Sequence, residues 1–200
     1  MGRPPRWRLF VAARPPLAVA HGIYEGLTDV RARHRLARWT QPEQLHLTLV
    51  FLGATDPYAV PDLGGLLARV AARWQVFDVA TAEAGGYLND RRGGVAWLTI
   101  GRGRDQMSSL SRDVDELLES HAYEGRPPRP HLTVARRVDE ALLADLRAAA
   151  DNLRVEFPVE ALVLYRSHMG PRGRYEELSR HALGPAVEHA AGVASSSAAQ

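Results

Sequence analysis

Two histidines in this chain of 200 residues occupy the same four-residue frame: His46-Leu47-Thr48-Leu49 and, 85 positions later, His131-Leu132-Thr133-Val134. Paired imidazoles suit acid–base chemistry near neutrality, because a reference pKa of about 6.5 lets one ring be neutral while another is protonated. One ring takes a proton from water while the other gives a proton to a leaving oxygen. The hydroxyl two residues after each imidazole adds a hydrogen-bond donor for non-bridging phosphate oxygens, and a nearby arginine offsets developing charge. The set therefore fits phosphoester cleavage without a metal. Zinc is the rival use of two histidines, but neither motif holds a carboxylate and the chain has no thiol, so ligands are short. One His-x-Thr alone reads as a structural histidine in a strand; the matched second copy is what favours chemistry.

These side chains converge only if both motifs are strands. Leu45–Leu52 has the length, branching and alternation of one, stopped by Gly53. Strand alternation then points His46 and Thr48 one way and Leu45, Leu47 and Leu49 the other, and the same parity assigns Phe51 to the core. His131 and Thr133 likewise share a face in a strand over 131–135, backed by Leu132 and Val134. Around them the patterning predicts strands at 7–13, 74–82, 95–100, 154–165 and 175–180. Helices are predicted from Pro16 to His34, Asp56 to Arg73, Gly101 to His121 and Asp139 to Asp151. Element order repeats, with a first copy at roughly 7–82 and a second at 95–165. The fold class expected is α+β and bilobal: two interleaved, pseudo-symmetric lobes, each with an antiparallel sheet and helices, facing each other across a central cleft lined by the two His-x-Thr strands. Residues 1–183 read as one domain, and the Ala/Gly/Ser-rich 184–200 as a disordered tail.

Composition narrows the chemistry by subtraction. All 25 basic residues are arginine, and there is no cysteine. Disulfides, thiolate ligands, cysteine nucleophiles, a Walker lysine and lysyl intermediates are thereby excluded. A net charge of +2 is too mild for a polybasic DNA-coating protein. No window approaches the roughly 18 apolar residues of a membrane helix, and the basic start is interrupted by Arg14-Pro15-Pro16, unlike a signal peptide. The expectation is a cytoplasmic monomer with no cofactor, no membrane association and no obligate protein partner. Gly101-Arg102-Gly103 lacks the third glycine of a dinucleotide fingerprint. His21, His34, His121, His168, His181 and His189 read as surface or structural.

The segment Trp39-Thr-Gln-Pro42-Glu43-Gln-Leu45-His46-Leu-Thr48-Leu-Val-Phe51-Leu52-Gly53 resembles the first signature of the two-histidine phosphoesterases, specifically their RNA 2′,3′-cyclic phosphodiesterase (2′-5′ RNA ligase-like) branch. Arg8–Ala12, Pro130–Arg136 and the stretch Leu164–Ser167 with Gly170, Gly173, Tyr175 and Leu178 resemble the same branch, so the likeness covers about 7–181. It implies opening of an RNA-terminal 2′,3′-cyclic phosphate to a 2′-phosphate, with His46 as general acid toward O3′ and His131 as general base toward water. Thr48 and Thr133 would hold phosphate oxygens. Arg136 matches a phosphate-contacting arginine, although strict alternation places it opposite His131 unless the strand bends or ends near Ala135. For an RNA partner, Trp39 and Tyr165, with Phe51 if it is not core, are candidate base-stacking rings, and Arg129, Arg126, Arg172 and Arg174 candidate phosphate contacts. Three alternatives stay open: reversible 2′-5′ RNA end joining at the same site, a non-catalytic RNA-end-binding module, and cyclic nucleotides as substrates.

Overall fold

Alternating apolar residues produce strands here, and amphipathic stretches between them produce helices. The computed structural model describes residues 5–88, 93–118, 128–168, 170 and 174–185. The first part of the chain runs β1 (Trp7–Ala13), α1 (Leu17–Gly26), α2 (Thr28–Arg33), β2 (Arg38–Trp39), β3 (Leu47–Thr55), α3 (Val60–Ala71) and β4 (Phe77–Tyr87). The second part runs β5 (Gly94–Ile100), α4 (Arg104–Leu117), β6 (His131–Val138), α5 (Glu140–Ala149), β7 (Glu156–Val159), β8 (Ala161–His168) and β9 (Arg174–Ala182). Asp139 starts α5, its Oδ1 accepting from the Leu142 amide at 2.8 Å.

The fold is α+β, with five helices and one antiparallel sheet ordered β7-β4-β5-β6-β3-β1-β8-β9, β2 pairing beside β6. The expectation of a separate sheet in each lobe is corrected. Two four-stranded halves are joined through a single residue pair, Leu47 with Leu132, at the centre of the two motifs. Both leucines are wholly buried, so the joint is sealed by the apolar side of the motif strands. Each half draws strands from both parts of the chain: β4 pairs with β5, and β8 pairs with β1.

Several elements depart from the sequence expectation. The helix expected over 16–34 breaks at Leu27, whose side chain is buried, just after Gly26. A Cβ at Gly26 would stand 2.8 Å from Leu153 Cδ2, so a larger residue there would make that leucine side chain shift. The strand expected over 154–165 is two strands parted at Glu160: β7 pairs with β4 in one half and β8 with β1 in the other. Pro158 is tolerated because β7 is an edge strand. β8 is buried on both faces along Ala161–Tyr165. Leu162 and Leu164 join the main core, whereas Val163 and Tyr165 pack with Phe10 and Ala12 into a second cluster. Gly184, read as tail, is held by backbone bonds to Trp74 and Val76. The rest of the tail beyond Pro185, Arg126, Arg172, His121 and His189 lie outside the described residues. No helix among the described residues is long and apolar enough to cross a membrane.

Candidate active site

Both motif strands carry the same backbone irregularity at the same place. Along β1, Val11 pairs with Val50 and Ala12 with Thr48, so Leu49 is an extra residue in β3. Along β5, Ala96 pairs with Ala135 and Trp97 with Thr133, so Val134 is the extra residue in β6. A second shift follows in each strand, passing Leu52 in β3 and Arg137 in β6. These bulges stand three and six residues after each histidine. A bulge reverses the facing of every residue beyond it. Leu49 and Val50 are therefore both buried and Phe51 emerges 55% exposed, on the face of His46 and Thr48. This corrects the assignment of Phe51 to the core. The same bulge brings Arg136 round to the face of His131 and Thr133, where it is exposed after buried Val134 and Ala135. The bend that Arg136 needed is thus the Val134 bulge.

The imidazoles are pinned alike. Each Nδ1 lies 2.7 Å from the carbonyl oxygen two residues earlier, that of Gln44 for His46 and that of Arg129 for His131. A carbonyl only accepts, so each Nδ1–H donates and each Nε2 is left for chemistry. The register through Leu47 and Leu132 sets His46 across from Thr133 and Thr48 across from His131. Their surroundings differ. The His46 ring packs 5.1 Å from Phe10 and 5.1 Å, edge-on, from Tyr175. His131 has Trp97 at 5.4 Å. Burial lowers the His46 pKa to about 4, with the positive charges of Arg136, His131 and Arg14 acting the same way and the Gln44 hydrogen bond opposing them.

A cavity of about 240 Å³ opens beside His46, walled by Thr133, Arg136, Trp39, Arg38 and Tyr175 among others. Thr48 and His131 lie outside its walls, on the other side of the Leu47–Leu132 joint. Trp39 is held by its indole N–H donating to the His34 carbonyl at 3.1 Å. Tyr165 is corrected as a stacking candidate: it is 5% exposed and stacked on Phe10 beneath His46, and burial raises its phenol pKa. Arg129 points its side chain to solvent and contributes its carbonyl instead. Arg174, at the start of β9, lies off the cavity wall. His168 is not the bland histidine expected, since it lines the cavity, its Nε2–H donating to Glu176 at 2.6 Å. Sequence reading also passed over Arg38, because a strand of two residues has no period to detect. Among the described residues no three His, Asp or Glu side chains converge as metal ligands.

Comparison with known proteins places this geometry. The profile of the 2′-5′ RNA ligase superfamily matches residues 15–171. An RNA 2′,3′-cyclic phosphodiesterase of Thermus thermophilus is 32% identical over 176 residues, covering 83% of this chain and 84% of the relative. One of Bacillus subtilis is 24% identical over 87% of this chain and 95% of its own. Among solved structures, a Thermus thermophilus protein superposes with a TM-score of 0.71 at 27% identity, covering 88% of this chain and 97% of the other. Escherichia coli LigT complexed with 3′-AMP superposes with a TM-score of 0.68 at 26% identity, covering 89% and 98%. On sequence and fold together, this chain belongs to the 2′-5′ RNA ligase superfamily.

Proposed function

We propose that the protein opens 2′,3′-cyclic phosphates at RNA ends to 2′-phosphates, without a metal, by acid–base catalysis between His46 and His131. The observation that carries this reading is the joining of the two motif strands at Leu47 and Leu132, with each imidazole pinned through Nδ1 by a backbone carbonyl. Its relatives named RNA 2′,3′-cyclic phosphodiesterases support it. In that reading residues 1–183 make up one domain.

The step balances once His46 Nε2 has taken a proton from solvent, which His131 returns to solvent afterwards. His131 Nε2 takes a proton from water, the hydroxide adds to phosphorus, and the P–O3′ bond breaks as His46 Nε2–H protonates O3′. Thr48, Thr133 and Arg136 hold the non-bridging oxygens, where charge builds up. His46 enters neutral at neutral pH, since its pKa lies at about 4. Burial is the main cause of that low value; the cyclic phosphate anion, seated beside Arg136, offsets the smaller effect of the neighbouring positive charges and gives the imidazolium a counter-ion, so His46 takes up its proton as substrate binds. Replacing the attacking water with the 5′-hydroxyl of a second RNA end, with O3′ leaving as before, gives 2′-5′ joining at the same site, in line with the superfamily's name.

The test is an oligoribonucleotide ending in a 2′,3′-cyclic phosphate, treated with protein in excess EDTA and analysed for its terminal phosphate. Turnover to a 2′-phosphate is expected. A 3′-phosphate product reverses the roles of the two histidines, loss of activity in EDTA returns the site to metal chemistry, and tight binding without turnover leaves an RNA-end-binding module.

A further inference from the structure

The bulge at Val134 does more than turn Arg136. It frees the strand's outer edge just where β3 has parted from β6, and the short β2 takes that place. Arg38 pairs with Arg136 and Trp39 with Ala135, and the Thr40 amide donates to the Val134 carbonyl at 2.9 Å. Two arginines thus stand directly opposite one another on adjacent strands, their Cα atoms about 5 Å apart. Like charges in that relation repel. Some of the arginines are neutralised locally: Arg33 meets Asp145, Arg102 meets Glu156, Arg166 meets Glu176 and Arg180 meets Glu177. Among the described residues neither Arg38 nor Arg136 has a carboxylate within ion-pair distance, and both line the cavity that holds His46 and Thr133. An uncompensated guanidinium pair on a cavity wall is a site for anion, and guanidinium is the group best shaped to grip phosphate oxygens.

Resting on the function proposed above, the geometry points to Arg38 as the residue that binds the second phosphate of the substrate, the phosphodiester on the 5′ side of the terminal nucleotide. The cyclic phosphate between the histidines takes Arg136. The nearest other anion on such an RNA end is one ribose away, and Arg38 lies one strand further out. The favoured substrate class is therefore an oligoribonucleotide end, in preference to a nucleoside 2′,3′-cyclic phosphate that has no 5′-phosphate. Trp39, next to Arg38, lines the same cavity and is fixed by its bond to the His34 carbonyl.

The experiment measures kcat/KM for a cyclic-phosphate-ended dinucleotide and for the matching nucleoside 2′,3′-cyclic phosphate, with wild-type protein and with Arg38→Ala and Arg38→Lys. Wild type is expected to favour the dinucleotide, and Arg38→Ala to shrink that preference by about 10- to 100-fold, as loss of a charge-assisted contact does. Arg38→Lys should restore part of it. The salt dependence of log(kcat/KM) for the dinucleotide should flatten in Arg38→Ala by about 0.7 of a unit of slope. An equal loss on both substrates, or a preference that does not move, overturns the inference while leaving the proposed function standing. A wild type that opens neither substrate overturns that function, and the inference with it.

Discussion

The strands β3 and β6 are two tellings of one backbone whose side chains differ in chemistry at one exposed position, Phe51 against Arg136. From Leu47 to Phe51 and from Leu132 to Arg136 the residues run buried, partly buried, buried, buried, exposed, because both strands bulge directly after the threonine. Both histidines spend Nδ1 on a carbonyl two residues back. Five residues past the histidine, however, β3 exposes a phenyl ring and β6 a guanidinium. His46 also sits in an aromatic nest of Phe10 and Tyr175 over buried Tyr165, whereas His131 has Trp97 alongside. Two imidazoles in identical frames are chemically interchangeable, and acid and base must be told apart by what surrounds them. The lesson is that a repeated strand frame supplies the geometry of the site, and the unshared neighbours make its two imidazoles unlike.

The comparison can be broken at its centre first. His46→Ala and His131→Ala should each lower kcat on a cyclic-phosphate-ended oligonucleotide by about 10²- to 10⁴-fold, the usual worth of a general acid or base. If either variant keeps near wild-type turnover, the two histidines are not partners. The unshared position comes next. Arg136→Ala should cost about 10²- to 10³-fold in kcat/KM, as removal of a charge-stabilising donor does, while Phe51→Ala should cost about 10-fold and act mainly through KM, as loss of a stacking surface does. Equal losses from the two would erase the distinction between phosphate and base roles.

The smallest effect is on stability, and it sharpens the contrast in surroundings. The folded pKa of His46, about 4, lies below its unfolded value of about 6.5. The unfolded chain therefore binds the proton first as pH falls, so the stability this neutral ring contributes is present above pH 6.5 and drains away towards pH 4. Denaturant unfolding at pH 7 and pH 4.5 should show a loss on the order of 1–3 kcal/mol from this group. His46→Ala should lose correspondingly less over the same interval. An unchanged pH slope in that variant would mean that the ring titrates freely in the folded protein.

Much of the site was legible in the chain. The paired frames His46–Leu49 and His131–Val134 announced two strands with chemistry on one face and aliphatic packing on the other, and Leu47 and Leu132 are indeed buried. The α+β class followed from the alternation of strand and helix patterns. Phe51 and Arg136 were misplaced by one and the same step, strict period-two counting through Leu49 and Val134. Tyr165 looked like a free ring because a strand buried on both faces carries no alternation to reveal it. Glu160 did not look like a break because apolar residues, Phe157 and Val159 before it and Leu162 to Tyr165 after it, continue on both sides. Arg38 was overlooked because its importance comes only from standing opposite Arg136.

By itself, then, the sequence determined which groups are available and how they alternate within each strand: imidazole and hydroxyl in two copies, a guanidinium in one, and no lysine or thiol. Those are properties of local chain geometry, which repeats every two residues regardless of the rest of the fold. Only the tertiary structure decided where the count slips, which carbonyls fix the tautomers and which neighbours lower the His46 pKa. A bulge is a mismatch between two strands and has no existence in one of them, and burial is a sum over atoms from β1, β6 and β9 that lie far from His46 in the chain. The asymmetry between the two halves, and with it the direction of the chemistry, belongs to the fold.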